Sequence, residues 1–527
     1  MVSSSSVTPV LLFLIFLVTT VSSIAVQDDE SLLRCLTQKL SSSNGTYRTL
    51  HIPNTTSYTR LLLSSIKNLR FNSSTTPKPV LIVAPSDETQ VQATVICCRK
   101  HGFQVRVRSG GHDYEGLSYV SHEPFVVLDV ANLRAVTIDI EEGTAWVQTG
   151  ATLGDLYYGI SEKSRIHAFA GGMCPTVGTG GLISGGGIGT LMRKFGLAAD
   201  NVIEALLVDA EGRILDRKSM GEDLFWVIRG GGGASFGVIL SWKIRLVPVP
   251  PIVTIFSISR TLEEGATKIL HRWQYFPEKC HENLFIRTLV QGAYDGSKRT
   301  LRATFDSLFL GGSAELLRLT GECFPELGLK AKDCQETTWI DSAITLGGYS
   351  SGSPREVLLS REPPSGVKAS FKAKSDFVKN PISETALEGL WELFLEQGSG
   401  IMVWEPLGGK MSEIAVHDIT FPHRKGNLYN VLYLMGIEDG FGAQKGLDWI
   451  NRLYDQMTPH VSKHPRTAYL NYRDLDLGIN GLAKPSYFKS GIWGLKYFKG
   501  NFKRLALVKA QVDKHNFFKN EQSVPPF

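Results

Sequence analysis

The chain has 527 residues, 43% hydrophobic and 20% charged, with a formal net charge of +5. That length exceeds what one hydrophobic core usually supports, so two lobes of ordinary globular composition are expected. A small positive charge without a basic run or stripe argues against a nucleic-acid partner.

In chain order, the first feature is the apolar run VLLFLIFLVTTV at 10–21, followed by the small and polar SSIA at 22–25. About a dozen apolar residues are too few to span a bilayer and suit the core of a signal peptide, expected over 1–25. No later stretch reads as a membrane span, and the terminal NEQSVPPF carries no retention or anchor signal. Sequons at Asn44, Asn54 and Asn72 fit a glycosylated protein of the secretory pathway, destined for the cell exterior, the wall or a vacuole. Seven cysteines fit too, because an exported chain keeps its disulfides; seven is odd, so at least one sulfur has another fate.

After the polar, proline-containing NSSTTPKP at 72–79 come an apolar β-rich run, PVLIVAPS, then a helical stretch over 87–101 and an alternating strand, VRVRSGG, running into glycine. Strand, helix and strand in this order indicate an α/β region. Further strands are expected at 124–130, 135–140 and 145–151, with glycine-rich belts at 171–189 and 230–237. The texture changes at PVPP, 248–251. From 252 to about 460, long strands alternate with amphipathic helices such as 383–396, and glycine becomes sparse. From 469 onward the chain reads as loops and one helix packed onto something else.

The belt GGMCPTVGTGGLISGGGIG offers backbone amides with few side chains in the way, which suits close approach to a pyrophosphate. It lacks the Gly-Lys-Ser/Thr of a P-loop and the spacing of a dinucleotide βαβ turn, and IRGGGGASFG fails the same tests. RSGGHDYEGLSY at 108–119 is more specific. It resembles the pyrophosphate loop of flavin oxidases related to vanillyl-alcohol oxidase, with the PCMH-type FAD-binding fold. Together with GMCPTVG at 172–178, LMRKFGLAADNV at 191–202, GEDLFWVIRGGGGASFGV at 221–238, NYRDLDLG at 471–478 and NFFKNEQSVPP at 516–526, it makes the chain similar to the berberine-bridge-enzyme-like oxidases of plants. The likeness runs from Cys35 to the C-terminus in consistent order.

This resemblance implies an α+β architecture: a PCMH-type FAD-binding domain over 26–250, a substrate domain over 251–460 with an antiparallel sheet covered by helices, and a C-terminal segment, 461–527, returning to the FAD domain. It implies FAD contacted by Arg108, Ser109, Gly110, Gly111, Val177, Gly178 and Gly181, and tethered covalently through His112 at the flavin 8α carbon and Cys174 at the 6 position. The protein's share of such chemistry is to position the flavin and tune its electronics. The resemblance also implies a Cys35–Cys97 disulfide. Adjacent Cys98 leaves that pairing ambiguous by one residue; Cys280, Cys323 and Cys334 remain, of which the last two could pair.

The implied reaction is hydride transfer from a small-molecule substrate to the flavin, with dioxygen as final acceptor and a base taking the substrate proton. Family members usually place a Glu or Gln on the strand after FPHR. Here that strand reads NLYNVLYL, and the matching position is Leu432, which cannot accept a proton. Leu182 and Ile188 stand where His and an aromatic are common, so the site is expected to be apolar. The candidate base is Tyr472, with Tyr114 nearby. A tyrosine near its ordinary pKa of about 10 needs a partner to lower it, and Asn430 stands where some members carry Lys. Tyr472 could instead merely anchor the C-terminal segment. Val177, three residues after the tethering cysteine, favours reaction with dioxygen.

The leading expectation is a monomeric oxidase of an aromatic alcohol, phenolic or alkaloid, without a metal. A carbohydrate oxidase, a redox-silent relative catalysing a pericyclic cyclisation and a non-catalytic extracellular glycoprotein are the competing readings.

Overall fold

The computed structural model describes residues 29–40, 49–437, 441–481 and 485–527. The expected signal peptide and Asn44 lie outside them.

The helix expected at 87–101 forms over Glu88–His101. The Asp87 side chain accepts from the Gln90 amide at its start, and Gly102, at φ 77°, ends it in the left-handed region. Successive helical residues point about 100° apart, which separates the two adjacent cysteines: Cys97 forms a disulfide with Cys35, and Cys98 is a buried free thiol. This helix packs on strands Leu81–Val83, Phe125–Asp129 and Gln104–Arg108, which pair in parallel, with Leu50–His51 antiparallel at one edge. Alternation along these strands feeds two cores. Leu81, Val83, Val126 and Leu128 join Val91 and Val95 of the helix, while Ile82, Phe125 and Val127 meet Tyr58 and Leu62 on the opposite face.

A second, antiparallel sheet continues the first lobe, in the order Val136–Asp139, Thr144–Gln148, Val238–Arg245, Val202–Val208, Ile214–Leu215. The second lobe is a seven-stranded antiparallel sheet ordered Gln335–Thr337, Val253–Thr261, Lys298–Phe309, Leu284–Asp295, Ile401–Pro406, Tyr429–Gly436, Phe371–Val378. Helices Ala266–Trp273 and Glu384–Leu395 cover one of its faces. There Met402, Trp404, Tyr429, Val431 and Tyr433 share a core with Trp273 and Trp391. The alternate residues Glu405, Asn430 and Leu432 therefore lie on the face turned to the first lobe.

Two C-terminal helices form where one was expected, Tyr487–Phe498 and Asn501–Val512, separated at Lys499 with φ 49°. They bring Trp493, Tyr497, Phe502 and Leu505 into the core that holds Trp226, Val227 and Trp242. The Lys509 ammonium donates to the Ser235 carbonyl at 2.6 Å, so the chain ends on the first lobe. The suggested pairing of Cys323 with Cys334 does not occur: Cys323 bonds Cys280, and Cys334 is free. Among the described residues, no helix is long and apolar enough to cross a membrane.

Candidate active site

The loop after strand Gln104–Arg108 meets the loop carrying Cys174 backbone to backbone. A Cβ on Gly110 would lie 2.3 Å from the Gly178 nitrogen, and one on Gly178 would lie 2.1 Å from Ser109 Oγ. Gly111 sits at φ 70°, where a Cβ would meet the Ser65 carbonyl oxygen at 2.2 Å. These positions accept only glycine. The cleft they border has a volume of about 360 Å³. Ser109, Gly110, Gly111, His112, Tyr114, Cys174, Val177, Gly178, Gly181 and Tyr472 all line it, so nearly every residue singled out from the sequence converges there.

Arg108 does not line the cleft, although Arg106 does. The Arg108 guanidinium is fully buried and donates to Asp129 Oδ2 at 3.1 and 2.6 Å and to the Leu61 carbonyl at 2.9 Å. It ties the end of its strand to the facing residue of the next, and so fixes where the glycine loop begins.

His112 and Cys174 meet at Thr176. His112 Nε2 lies 2.9 Å from Thr176 Oγ1, and Cys174 Sγ lies 3.4 Å from the same oxygen. Burial, aided by the charge of Lys67, pushes the His112 imidazole down to about 3, which keeps it neutral with a lone pair free for bond formation. The sulfur count singles out Cys174: two disulfides use four cysteines, Cys98 is buried, Cys334 is half-buried, and Cys174 is the exposed free thiol. The pair thus presents two nucleophiles side by side on one wall.

The same cleft has an aromatic floor. The Tyr114 and Tyr472 rings stack in parallel at 5.7 Å, and Tyr469 meets Tyr472 edge-on at 5.0 Å. Leu182 and Ile188 add apolar surface to the cleft. The Tyr472 hydroxyl donates to both carboxylate oxygens of Glu405, at 3.0 Å each, and Asn430 Nδ2 donates to the same carboxylate at 2.9 Å. Burial and the Glu405 charge push Tyr472 well above the ordinary tyrosine range. A standing tyrosinate, which the tyrosine would need to be a base on its own, is therefore opposed by its neighbour. Sequence reasoning missed Glu405. Its one signal was a carboxylate alone in the otherwise apolar strand IMVWEP.

A second omission is the ionic clamp beneath the floor. Lys372 and Lys374, on the edge strand Phe371–Val378, reach the NYRDLD segment: Lys372 Nζ lies 2.7 Å from Asp474 Oδ1, and Lys374 Nζ lies 2.6 Å from Asp476 Oδ2. Lys372 also pairs with Glu115, which Arg70 holds at 3.0 Å. Arg473 bonds Asp113 at 2.8 Å. Both lobes and the C-terminal segment are thus pinned around Tyr114 and Tyr472.

Comparison with known proteins agrees with this geometry. A family model described as an FAD binding domain matches residues 79–217, and one described as berberine and berberine like matches 468–525. The chain is 53% identical to a tetrahydroberberine oxidase of Berberis wilsoniae over 502 residues, covering 94% of each chain. It is 48% identical to an O-acetylstemmadenine oxidase of Catharanthus roseus over 500 residues, again covering 94% of each. The crystal structure of Phl p 4, a grass pollen allergen with glucose dehydrogenase activity, superposes with a TM-score of 0.89 at 42% identity, covering 94% of this chain and 99% of that one. The glycine cradle, the aromatic floor and these likenesses converge on one conclusion: the chain belongs to the berberine-bridge-enzyme-like family of FAD-linked oxidoreductases.

Proposed function

We propose that the protein is an exported oxidase of aromatic or alkaloid metabolites that holds FAD covalently through both His112 and Cys174. The observation that carries this reading is the meeting of a neutral, half-buried imidazole and an exposed free thiol at one hydroxyl, Thr176, inside the glycine-cradled cleft. Those nucleophiles suit neighbouring positions on one edge of an isoalloxazine ring. When bound, FAD supplies the hydride acceptor and passes the electrons to dioxygen, giving hydrogen peroxide.

The chain's own residues set the rest. Ser109, Gly110, Gly111, Gly178 and Gly181 line the cleft where the cofactor's pyrophosphate would approach the backbone, and Val177, lining it three residues after Cys174, would leave space for dioxygen. Leu182 and Leu432 stand where polar groups are common in the family, and Ile188 keeps its position apolar. A sugar asks for several hydrogen bonds, whereas a planar aromatic scaffold asks for apolar surface and a few polar groups, as found here. The names of the tetrahydroberberine and O-acetylstemmadenine oxidases favour the same choice, while glucose oxidation stays with the pollen allergen. Export is supported by the apolar leader in the sequence, by exposed Asn54 and Asn72 within sequons, and by two disulfides.

The test is acid precipitation of the purified protein, followed by anaerobic titration with glucose, cinnamyl alcohol and N-methyltetrahydroisoquinoline. Flavin should stay with the pellet in the wild type, in His112→Ala and in Cys174→Ala, and be released only from the double variant. Bleaching by the alcohol or the amine, but not by glucose, is expected. Release from the wild type refutes the tethers; a tethered flavin that nothing reduces points to the redox-silent reading.

A further inference from the structure

We propose that Glu405 is the terminal proton acceptor of this site, taking through the Tyr472 hydroxyl the proton that a substrate releases on oxidation. The inference rests on the oxidase reading above and supplies the group that reading lacks at Leu432.

Strand register is the first argument. Glu405 on strand Ile401–Pro406 pairs directly with Asn430 on strand Tyr429–Gly436, and Leu432 pairs with Val403. Asn430 and Leu432 are two residues apart and share the face turned to the first lobe, and cross-strand alternation puts Glu405 on that face as well. A carboxylate thus remains on the same sheet face, moved sideways by one strand, about 4.8 Å, and by two residues along it, about 6.8 Å.

Connectivity is the second. Tyr472 lines the cleft and Glu405 does not, so the carboxylate communicates with a substrate through the phenol. Its two oxygens straddle the Tyr472 hydroxyl at 3.0 Å each, while Asn430 Nδ2 at 2.9 Å fixes their orientation. The Tyr472 proton already points along its path of transfer.

The third is the carboxylate's surroundings. Glu405 is 8% exposed. The charged and titratable groups facing it are Tyr472 and Tyr469 of the C-terminal segment, Tyr114 of the glycine loop, and Arg287 of strand Leu284–Asp295. Arg287 is committed to Asp306 at 3.0 Å. Burial therefore raises the Glu405 carboxyl above its ordinary range, against the smaller opposing pull of Asn430, Tyr472 and Arg287. Holding a buried carboxylate without a cation of its own is unfavourable for stability, and it strengthens the group as a proton acceptor.

The step balances. For an alcohol, the substrate C–H bond breaks as its hydrogen leaves with two electrons to the flavin, and C=O forms. The substrate O–H proton moves to Tyr472 Oη while the tyrosine's own proton moves to Glu405. The carboxylate becomes a carboxylic acid and the tyrosine is unchanged. For a protonated amine, the same relay removes the N–H proton before hydride loss leaves an iminium. Tyr472 touches the substrate; Glu405 acts through it.

The sign of the pH dependence follows. A carboxyl with a raised folded-state pKa is protonated, and unable to accept, below that value, so flavin reduction should slow as pH falls through it. The test uses flavin-loaded wild type, Glu405→Gln, Glu405→Asp, Tyr472→Phe and the Gln/Phe double variant, with cinnamyl alcohol and N-methyltetrahydroisoquinoline as anaerobic probes. Glu405→Gln, which keeps the shape and one acceptor oxygen for the Tyr472 hydroxyl but exchanges the other for an amide donor, should lower the reduction rate by about 10²- to 10⁴-fold and abolish the acidic limb, with the flavin spectrum unchanged. Glu405→Asp should restore a limb and part of the rate. The double variant should be no worse than the poorer single, as expected of residues acting in one relay. A wild-type pH profile in Glu405→Gln, or additive losses in the double variant, overturns the proposal. If neither probe reduces the wild type, the oxidase reading loses its support and infrared titration decides the relay separately. A carboxyl band absent in Glu405→Gln and displaced in Tyr472→Phe upholds the coupled pair; an unchanged band refutes it.

Discussion

Lys372→Met tests the ionic clamp that positions the aromatic floor. Methionine keeps most of the aliphatic length and deletes the ammonium from among Asp474 Oδ1 at 2.7 Å, Asp476 Oδ1 at 3.2 Å and Glu115. The side chains of Lys372, Glu115 and Asp474 are 4%, 4% and 1% exposed, so water cannot replace the lost cation at the two inner carboxylates. Breaking a buried pair by removing one partner costs about 3–5 kcal/mol. Two remaining contacts moderate it: Arg70 still holds Glu115 at 3.0 Å, and Lys374 still holds Asp474 at 3.1 Å. The expected loss is therefore at the lower end, about 3 kcal/mol, read as a fall in the urea midpoint at pH 7. The deficit should narrow as pH falls below the ordinary aspartate range of about 4, because the Lys372 and Lys374 charges lower the Asp476 carboxyl in the folded wild type, and the variant loses the Lys372 share of that pull. Asp474→Asn combined with Lys372→Met should lose less than the sum of the singles. A loss under about 1 kcal/mol, or strict additivity, would refute the clamp as an energetic unit.

Gly178→Ala should abolish stable flavin incorporation, measured as the visible-to-ultraviolet absorbance ratio of the purified protein. Its Cβ would fall 2.1 Å from Ser109 Oγ and 2.3 Å from the Gly110 nitrogen, and the backbone of the second loop cannot yield as a flexible side chain would. Val177→Leu should slow reoxidation of the reduced flavin by air by about tenfold or more, equivalent to about 1.4 kcal/mol of barrier, while the anaerobic reduction rate stays within twofold. Equal slowing of both half-reactions would show that the valine acts on flavin position rather than on dioxygen.

Local pattern made much of the first lobe legible. Strand Gln104–Arg108, helix Glu88–His101 and strand Phe125–Asp129 each fall within a residue or two of their expected bounds, because alternation, an Asp cap and a terminating glycine act on near neighbours. The cysteines show where such reasoning stops. Cys323 and Cys334 are close in sequence, but Cys323 closes the helix Ser313–Cys323, and its partner Cys280 follows the short helix Phe276–Lys279, at a separation of 43 residues. The second C-terminal helix was hidden for a related reason. No proline separates it from the first; the break is a positive φ at Lys499, which carries no signature in residue type.

The site divides along the same line. Ser109, Gly110, Gly111, His112, Cys174 and Gly178 were singled out because the local motifs RSGGHDYEG and GMCPTVG resemble those of a known family, and the fold brings them into one cleft. Glu405 was not, because its role exists only through the pairing of Glu405 with Asn430 and a tyrosine 67 positions along the chain. Leu432 looked like a lost base when its strand was considered alone. On the folded sheet, a neighbouring strand carries a carboxylate on the same face, and the segment bearing Tyr472 is pinned by Lys372 and Lys374 so that its hydroxyl meets that carboxylate. Register and the ionic clamp are thus one requirement: without the clamp, Glu405 would be a buried charge with no route to the cleft, and without Glu405, Tyr472 would have no anion to receive its proton.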